Sequence, residues 1–410
     1  MKNPQCSIRK SNMRYDVLII GGGAAGLAAA VSAKKENSEI KIGIIEKNDR
    51  VAKKIHATGN GRCNYTNTDI KSDYFYGEQS FITKVLDKFG SGEAIAFFEE
   101  LGIMHRVEDG RVYPLSNQAS AVADSLRLYL AENGVDFITN TPVTDIVRTE
   151  NGFSVGTLTS DRVIVATGGK ASPSLGSDGS GYKLLQKFGH ALSSVKPALV
   201  SLKTNTDIIK GLKGVKVFAR VSLVNKGRVV ASDRGEVLFT DYGLSGIPVM
   251  QISRFAQKGM TIKVDMLPDL KKSDVLGEVY NRVYSMPLRE GGELFSGMVN
   301  KKLAVPMLKW AGVEKTSVKA KDFTEPNIRL CADFLKELEL TVTGDNGFNN
   351  AQVSSGGIEL DNFNPHTMES CLCKGLYAAG EILNVDAVCG GYNLHWAWAT
   401  GVIAGKNAAI

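Results

Sequence analysis

Short apolar runs meet glycine-rich turns at both ends of the chain, and the middle reads differently. Residues 17–20 form a β-branched run that predicts a buried parallel strand. Residues 24–33 predict a small-residue helix able to lie close against a sheet, and a second apolar run over 40–45 ends on Glu46. Helical patterning follows over 81–102, with apolar positions at Val85, Leu86, Phe89, Ile95, Phe98 and Leu101. Gly110 opens a turn into a short strand ending at 115, and Ser116 is placed to cap a helix through 131, stopped by Asn133-Gly134. Residues 135–138 and 142–147 are strand-like, and 153–160 with 163–166 read as a hairpin-like pair that runs into Thr167-Gly168-Gly169. A helix is expected over 181–188.

From about residue 191 the pattern changes. Runs at 195–202, 215–225, 228–231, 236–239 and 260–265 alternate or are β-branched, with turn residues between them, which predicts a small antiparallel sheet or barrel. Residues 271–313 read as helical, with breaks at Pro287 and Gly291-Gly292. Residues 322–328 read as a loop, 331–338 as a short helix, and 340–343 and 351–353 as strand. No internal repeat is visible. The resulting division is a lead-in over 1–13, a split α/β domain over 14–190 and 346–410, and an insertion over 191–345. Within the insertion, 191–268 and 320–345 read as barrel-like and 269–319 as helical.

Composition narrows the class without naming a ligand. The 410 residues suffice for a large core, and 43% hydrophobic with 22% charged residues is ordinary for a globular protein. A net charge of +6 is mild, and no Lys/Arg block resembles a nucleic-acid patch, so no nucleic-acid partner is expected. The six cysteines lack a C-x-x-C pair, which implies reduced thiols, no metal site and a cytoplasmic setting. No run approaches the ~20 apolar residues of a membrane span. Residues 1–12 lack the apolar core of a secretory signal, and Met13 is a candidate start.

The chemistry resides in the glycine turns. Gly21, Gly23 and Gly26 have the G-x-G-x-x-G spacing between a strand and a helix, and Glu46 closes the second strand. Such glycines allow a tight turn and close approach of a pyrophosphate to a helix N-terminus, where free N–H groups and the dipole favour anions. Glu46 would accept hydrogen bonds from ribose hydroxyls and repel a 2′-phosphate. Residues 50–68 are rich in Gly, Asn and Thr with Lys53, Lys54 and Arg62 close by, which suits phosphates or a polarised ring edge. Near the C-terminus, a strand over 376–379 reaches Gly380-Glu381, and Gly390-Gly391-Tyr392-Asn393 precedes a helix over 394–409. A strand ending in Gly-acid, then a glycine turn and a helix, is the second half of an FAD site. The acid takes a ribityl hydroxyl, and the helix dipole stabilises negative charge on the reduced ring. The expected fold is therefore α/β, a Rossmann-like, glutathione-reductase-like FAD domain interrupted by a barrel-like and a helical subdomain.

The blocks KKIHATGNGRCNYTN (53–67), GRVYPLSNQAS (110–120), ATGGKASPSLGSDGSGYKLLQKFGH (166–190), GEVLFTDYGLSGIPV (235–249) and AGEILNVDAVCGGYNLHWAWATG (379–401) resemble the BaiN/RdsA family of FAD-dependent oxidoreductases. The resemblance spans the chain from Met13 onward. It implies pyrophosphate contacts at Gly21, Gly23, Ala25 and Gly26, with Glu46 on the adenosine ribose. It places Val143 at the adenine through its backbone, with Ala166, Thr167 and Gly168 nearby. Lys54, Thr58, Gly59, Gly61 and Arg62 would line the flavin side, and Gly380, Glu381, Tyr392, Asn393 and Leu394 would hold the ribityl chain and ring. It also implies reduction of C=C bonds conjugated to a 3-oxo group in bile-acid intermediates, free or as CoA thioesters, by hydride from reduced flavin N5, with NADH or NADPH as a transient electron donor. Two residues depart from the family pattern: His56 where an aliphatic residue is expected, and His395 where Gln is expected. Tyr392, His56, His395 and Tyr242 are the candidate donors to the developing oxyanion. A flavin oxidase of a small amine and a non-enzymatic or RNA-associated flavoprotein are the alternatives.

Overall fold

The computed structural model describes residues 13–410, so all of the 1–13 lead-in but Met13 lies outside the described residues. The chain forms two compact units, one running to Lys196 and resuming over Val353–Ile410, the other Pro197–Gln352.

The first unit is built on a seven-stranded sheet. Its parallel strands run Asp136–Ile138, Ile42–Ile45, Arg14–Ile20, Leu158–Val165 and Leu376–Ala378 in spatial order. Ile42–Ile45 is buried at every position, as the unbroken apolar run requires when both faces of a sheet are covered. The register aligns the carboxyl ends: Ile20 pairs with Ile45 and with Val165, Ile45 with Ile138, and Val165 with Ala378. Gly21, Glu46, Ala166 and Gly380 therefore leave the sheet along one edge, where ligands of open α/β sheets bind.

Two helices cover the first strand's end. The fingerprint helix Ala24–Glu36 and the C-terminal helix Tyr392–Ala408 approach closely enough that a Cβ on Gly401 would lie 2.4 Å from the Ala25 carbonyl oxygen. A Cβ on Gly405 would lie 2.0 Å from that of Ala29. The small residues are thus a packing requirement of both helices.

Three expectations in this unit shift. The hairpin reverses at Gly156 (φ 62°), joining Gly152–Val155 to one long strand, Leu158–Val165. The polar pair Asp161-Arg162, which reads as a turn, lies within that strand. There Asp161 pairs with Arg14 and Arg162 donates to the Ala408 carbonyl. The helix expected over 81–102 is two, Gln79–Leu86 and Ser91–Glu99, broken at Gly90. The strand expected over 142–147 is confined to Val147–Thr149.

The second unit contains a closed six-stranded barrel in the order Leu202–Thr204, Gly243–Ser245, Arg228–Phe239, Lys216–Asn225, Thr261–Asp265, Leu338–Asp345. Alternate side chains such as Val221, Leu223, Ile262, Val264 and Leu340 fill its interior. The helices Lys272–Ser285, Gly291–Leu294 and Ala304–Trp310 pack beside it in the same core. The loop expected over 322–328 is largely helix: Glu325–Glu337 begins there, with the Asn327 N–H donating to Thr324 Oγ1 at 3.4 Å and the Thr324 N–H to Asn327 Oδ1 at 2.8 Å. Pro326 sits in the first turn, where its missing N–H costs no hydrogen bond.

Candidate flavin site

The three fingerprint glycines do three different jobs. Gly21 turns the chain at φ 105°, and a Cβ there would lie 2.4 Å from the Ala166 carbonyl oxygen. A Cβ on Gly26 would lie 2.0 Å from the Gly21 carbonyl oxygen, so this glycine seats the helix on its strand. Around Gly23 a Cβ would meet nothing within 4 Å. The open side of the turn faces the first-turn amides of Ala24–Glu36, which lack intrahelical acceptors, and this is where a diphosphate fits.

At the end of the second strand, Glu46 is 8% exposed, and its carboxylate is aimed by the protein itself. The Gly22 N–H donates to Oε2 at 2.9 Å, and the backbone N–H and Nδ2 of Asn48 each donate to Oε1 at 2.8 Å. Glu46, Val143 and Thr167 line a common cleft with Gly21, Ser180 and Gly181, holding about 380 Å³ of empty space, its open mouth included. The Thr167 hydroxyl is buried without a partner. An orphaned hydroxyl in a cleft that ends on an oriented acid is what a nucleoside would satisfy. Glu46→Ala should weaken FAD retention by roughly 10–100-fold, from loss of one or two charge-assisted hydrogen bonds. Flavin fluorescence on dilution of the purified variant reads this directly, and unchanged occupancy would remove Glu46 from the ribose role.

In the block after the second strand, the glycine-rich turn Ile55–Gly61 is kinked, with Gly59 and Asn60 both left-handed at φ 55°. Gly61 follows at φ 83°, open to solvent on its Cβ side. Thr58 is tied into the turn, its hydroxyl donating to the Ile55 carbonyl at 2.6 Å. Arg62 leaves the turn to stack over Tyr113, 4.1 Å from the ring centroid, and bonds Glu108 and Asn117. Its side chain is thereby committed to the neighbouring hairpin. Lys54 Nζ donates to Glu381 Oε2 at 2.9 Å.

The helix Tyr392–Ala408 starts from Gly391 (φ 98°), where a Cβ would lie 2.6 Å from the Thr66 carbonyl oxygen. Asn393 uses its side chain to clamp the preceding loop, accepting from the Ala387 N–H and donating to the Ala387 carbonyl, both at 2.9 Å. Tyr392 packs on Tyr74 and Phe75, and burial pushes its phenol up to about 12. Leu394 is half-buried beside it. Asn64 Oδ1, which Gly391 approaches closely, is buried and unpartnered. Orphaned polar atoms at both ends of the site, with open space above Gly23 and Gly61, fit a long dinucleotide such as FAD.

His395 is removed from the list of oxyanion donors. It is fully buried, its Nδ1 is 2.8 Å from the Thr66 hydroxyl, and its Nε2 is 2.9 Å from the Phe89 carbonyl. Because a carbonyl only accepts, Nε2 carries the proton and Nδ1 accepts from Thr66. Burial lowers its pKa to about 4, so the neutral ring is a structural cross-brace. His56 is half-buried in the 55–61 turn, and Tyr242 belongs to the other unit. No disulfide joins Cys63 and Cys389, and burial pushes the Cys63 thiol up to about 12, which holds it protonated.

Sequence reasoning missed Ser354, Tyr182 and Asn64. Ser354 reaches the site only through long-range folding, with no local motif to flag it, whereas Tyr182 lies inside the quoted 166–190 block. Asn64 lies inside the quoted 53–67 block and could have been read from it.

The fold and site define a flavin-dependent oxidoreductase with a Rossmann-type FAD-binding domain. The profile described as HI0933-like protein Rossmann domain matches residues 15–407, and the chain belongs to that family. It is 40% identical over 95% of its length to the 3-dehydro-bile acid delta(4,6)-reductase of Clostridium scindens, covering 98% of that protein. It is 27% identical to the ribosomal RNA dihydrouridine synthase of Escherichia coli, over 94% of this chain and 96% of that one. The family resemblance read from the sequence blocks is thereby borne out. Among solved structures, the fold matches the 3-ketosteroid-delta4-(5alpha)-dehydrogenase of Rhodococcus jostii at TM-score 0.51 and 14% identity, over 98% of each chain. No helix among the described residues is long and apolar enough to cross a membrane.

Proposed function

We propose that this oxidoreductase reduces a carbon–carbon double bond conjugated to the 3-oxo group of a 3-dehydro bile acid or its CoA thioester. The observation that carries the reading is the 40% identity to the Clostridium scindens reductase over nearly the full length of both proteins. Bound FAD supplies the hydride, and NADH or NADPH recharges it as a transient visitor, since residues 140–345 hold no second G-x-G-x-x-G after a strand.

The chain's own residues then have three tasks. Gly22, Glu46 and the first turn after Gly23 hold the nucleotide end. The N-terminus of Tyr392–Ala408 supplies positive potential where charge develops on reduction. A donor must meet the 3-oxygen as the enone is reduced, and Tyr392, held protonated by its burial, can donate throughout the physiological range.

The test is anaerobic. Flavin reduced with NADH or NADPH should be reoxidised by 3-oxo-Δ4 or 3-oxo-Δ4,6 bile acids, seen as the return of the oxidised flavin absorbance. Absence of reoxidation by any of them sinks the steroid reading. The 27% relatives favour a second reading, reduction of a uridine base in RNA. Dihydrouridine formation in ribosomal RNA, with no response to enones, would select it. Peroxide release with small amines would select the oxidase instead.

A further inference from the structure

Glu381 sits in a charge network larger than a cofactor-binding acid requires. Lys54 Nζ reaches Glu381 Oε2 at 2.9 Å and the Ala171 carbonyl at 3.2 Å. The Ser354 N–H donates to Glu381 Oε1 at 2.8 Å. Ser354 Oγ in turn accepts from the backbone N–H groups of Lys170 and Ala171, at 2.7 and 3.0 Å. The backbone of Gly169 is pressed against this knot: a Cβ there would lie 2.7 Å from Glu381 Oε1 and 2.6 Å from Ser354 Oγ. The Lys54 and Glu381 side chains are only 27% and 19% exposed, so the pair is not an ordinary surface contact. Beside it lies the Tyr182 hydroxyl, buried and without a well-formed hydrogen bond. Burial first, and then the charge of Glu381, pushes that phenol above its ordinary range.

Charge balance gives the arrangement its meaning. FAD brings a diphosphate, and its ring takes on negative charge on reduction. A lone carboxylate in a partly dry site would repel both, and an ion pair of opposite charges cancels that repulsion at short range. We propose that Lys54 is a positioning residue: it neutralises and orients Glu381, so that the acid can accept ribityl hydroxyls without repelling an anionic cofactor. Lys54 acts through Glu381 and makes no bond to the flavin. The inference rests on the flavin site alone and is independent of the bile-acid substrate.

Charge compensation tests it. Lys54→Met, Glu381→Gln and the double variant are compared by FAD titration and by flavin midpoint potential. Glutamine keeps an acceptor for the hydroxyls while removing the charge. Lys54→Met should bind FAD about tenfold more weakly and show a lower potential, because an uncompensated negative charge disfavours the anionic reduced ring. Glu381→Gln should raise the potential. The double variant should return to within about threefold of the parent affinity, its potential recovering in step. A double variant as weak as Lys54→Met would show that Lys54 bonds the cofactor itself, and would overturn the proposal. So would a Lys54→Met protein with parental affinity and potential. If Lys54→Met fails to fold, Lys54→Gln replaces it, and Glu381→Gln alone still decides: a potential that stays or falls overturns the inference. Failure here, with bile acids still turned over, leaves the substrate reading intact.

Discussion

Replacing Gly26 with alanine should give a protein that unfolds roughly 6–12 °C lower and is isolated without flavin. The added Cβ would stand 2.0 Å from a backbone carbonyl oxygen, a contact that no rotamer change relieves. Moving either the strand end or the helix to make room costs about 3 kcal/mol or more, at the severe end for a single substitution. In a unit of this size each kcal/mol lowers the melting point by about 2–4 °C. Gly23→Ala is the matched control, because a Cβ there meets nothing and the φ of −85° suits alanine. Its apoprotein should melt within about 2 °C of the parent, yet bind FAD at least roughly tenfold more weakly, since the methyl group fills the space a diphosphate needs. Thermal unfolding of the apoproteins and flavin titration separate the two outcomes. Equal melting points for the two variants would refute the division of labour among the glycines.

The second large effect is acid lability through His395. Its imidazole is buried neutral with a pKa of about 4, against about 6.5 when unfolded. Between these values the unfolded chain binds more protons than the native one, so stability rises with pH across the window. The contribution is fully present above about pH 6.5, is lost as pH falls, and levels off below about 4, amounting to about 3 kcal/mol. Urea unfolding of the parent at pH 7.5, 6 and 5 should show this slope. His395→Gln should flatten it, because an amide can still donate to the Phe89 carbonyl and does not titrate. His190 is also lowered by burial and tilts both proteins alike, so the difference between them isolates His395. Parallel slopes would refute the assignment.

What was legible in the sequence was what is local. The strand, turn, helix and acid from Arg14 to Glu46 are contiguous, and their spacing alone places Gly21, Gly26 and Glu46 at the sheet edge. The Gly380-Glu381 strand end and the helix after Gly391 are legible for the same reason. Errors arose where a local signal had two physical readings. Asp161-Arg162 separates two strand-like runs until Arg14 and the Ala408 carbonyl satisfy it inside one strand, and 322–328 reads as a loop until Thr324 is seen as a cap. His395 stood out as an unusual residue beside a binding block, but only the fold shows both ring nitrogens spent inside the core. Ser354 and Tyr182 converge on Glu381 from distant parts of the chain, and no periodicity carries that information.

The glycine contact between the first and last helices also sets a timetable for biosynthesis. Ala25 and Ala29 are synthesised well before their partners, since Gly401 and Gly405 are added 376 residues later. At ~5–20 residues per second the fingerprint helix waits roughly 20–75 s for its partner. Pro197–Gln352, one continuous segment with its own core, has every residue it needs well before then. The nascent chain should therefore close its interrupting unit first and capture flavin last, with the small-residue face of Ala24–Glu36 exposed to chaperones in between.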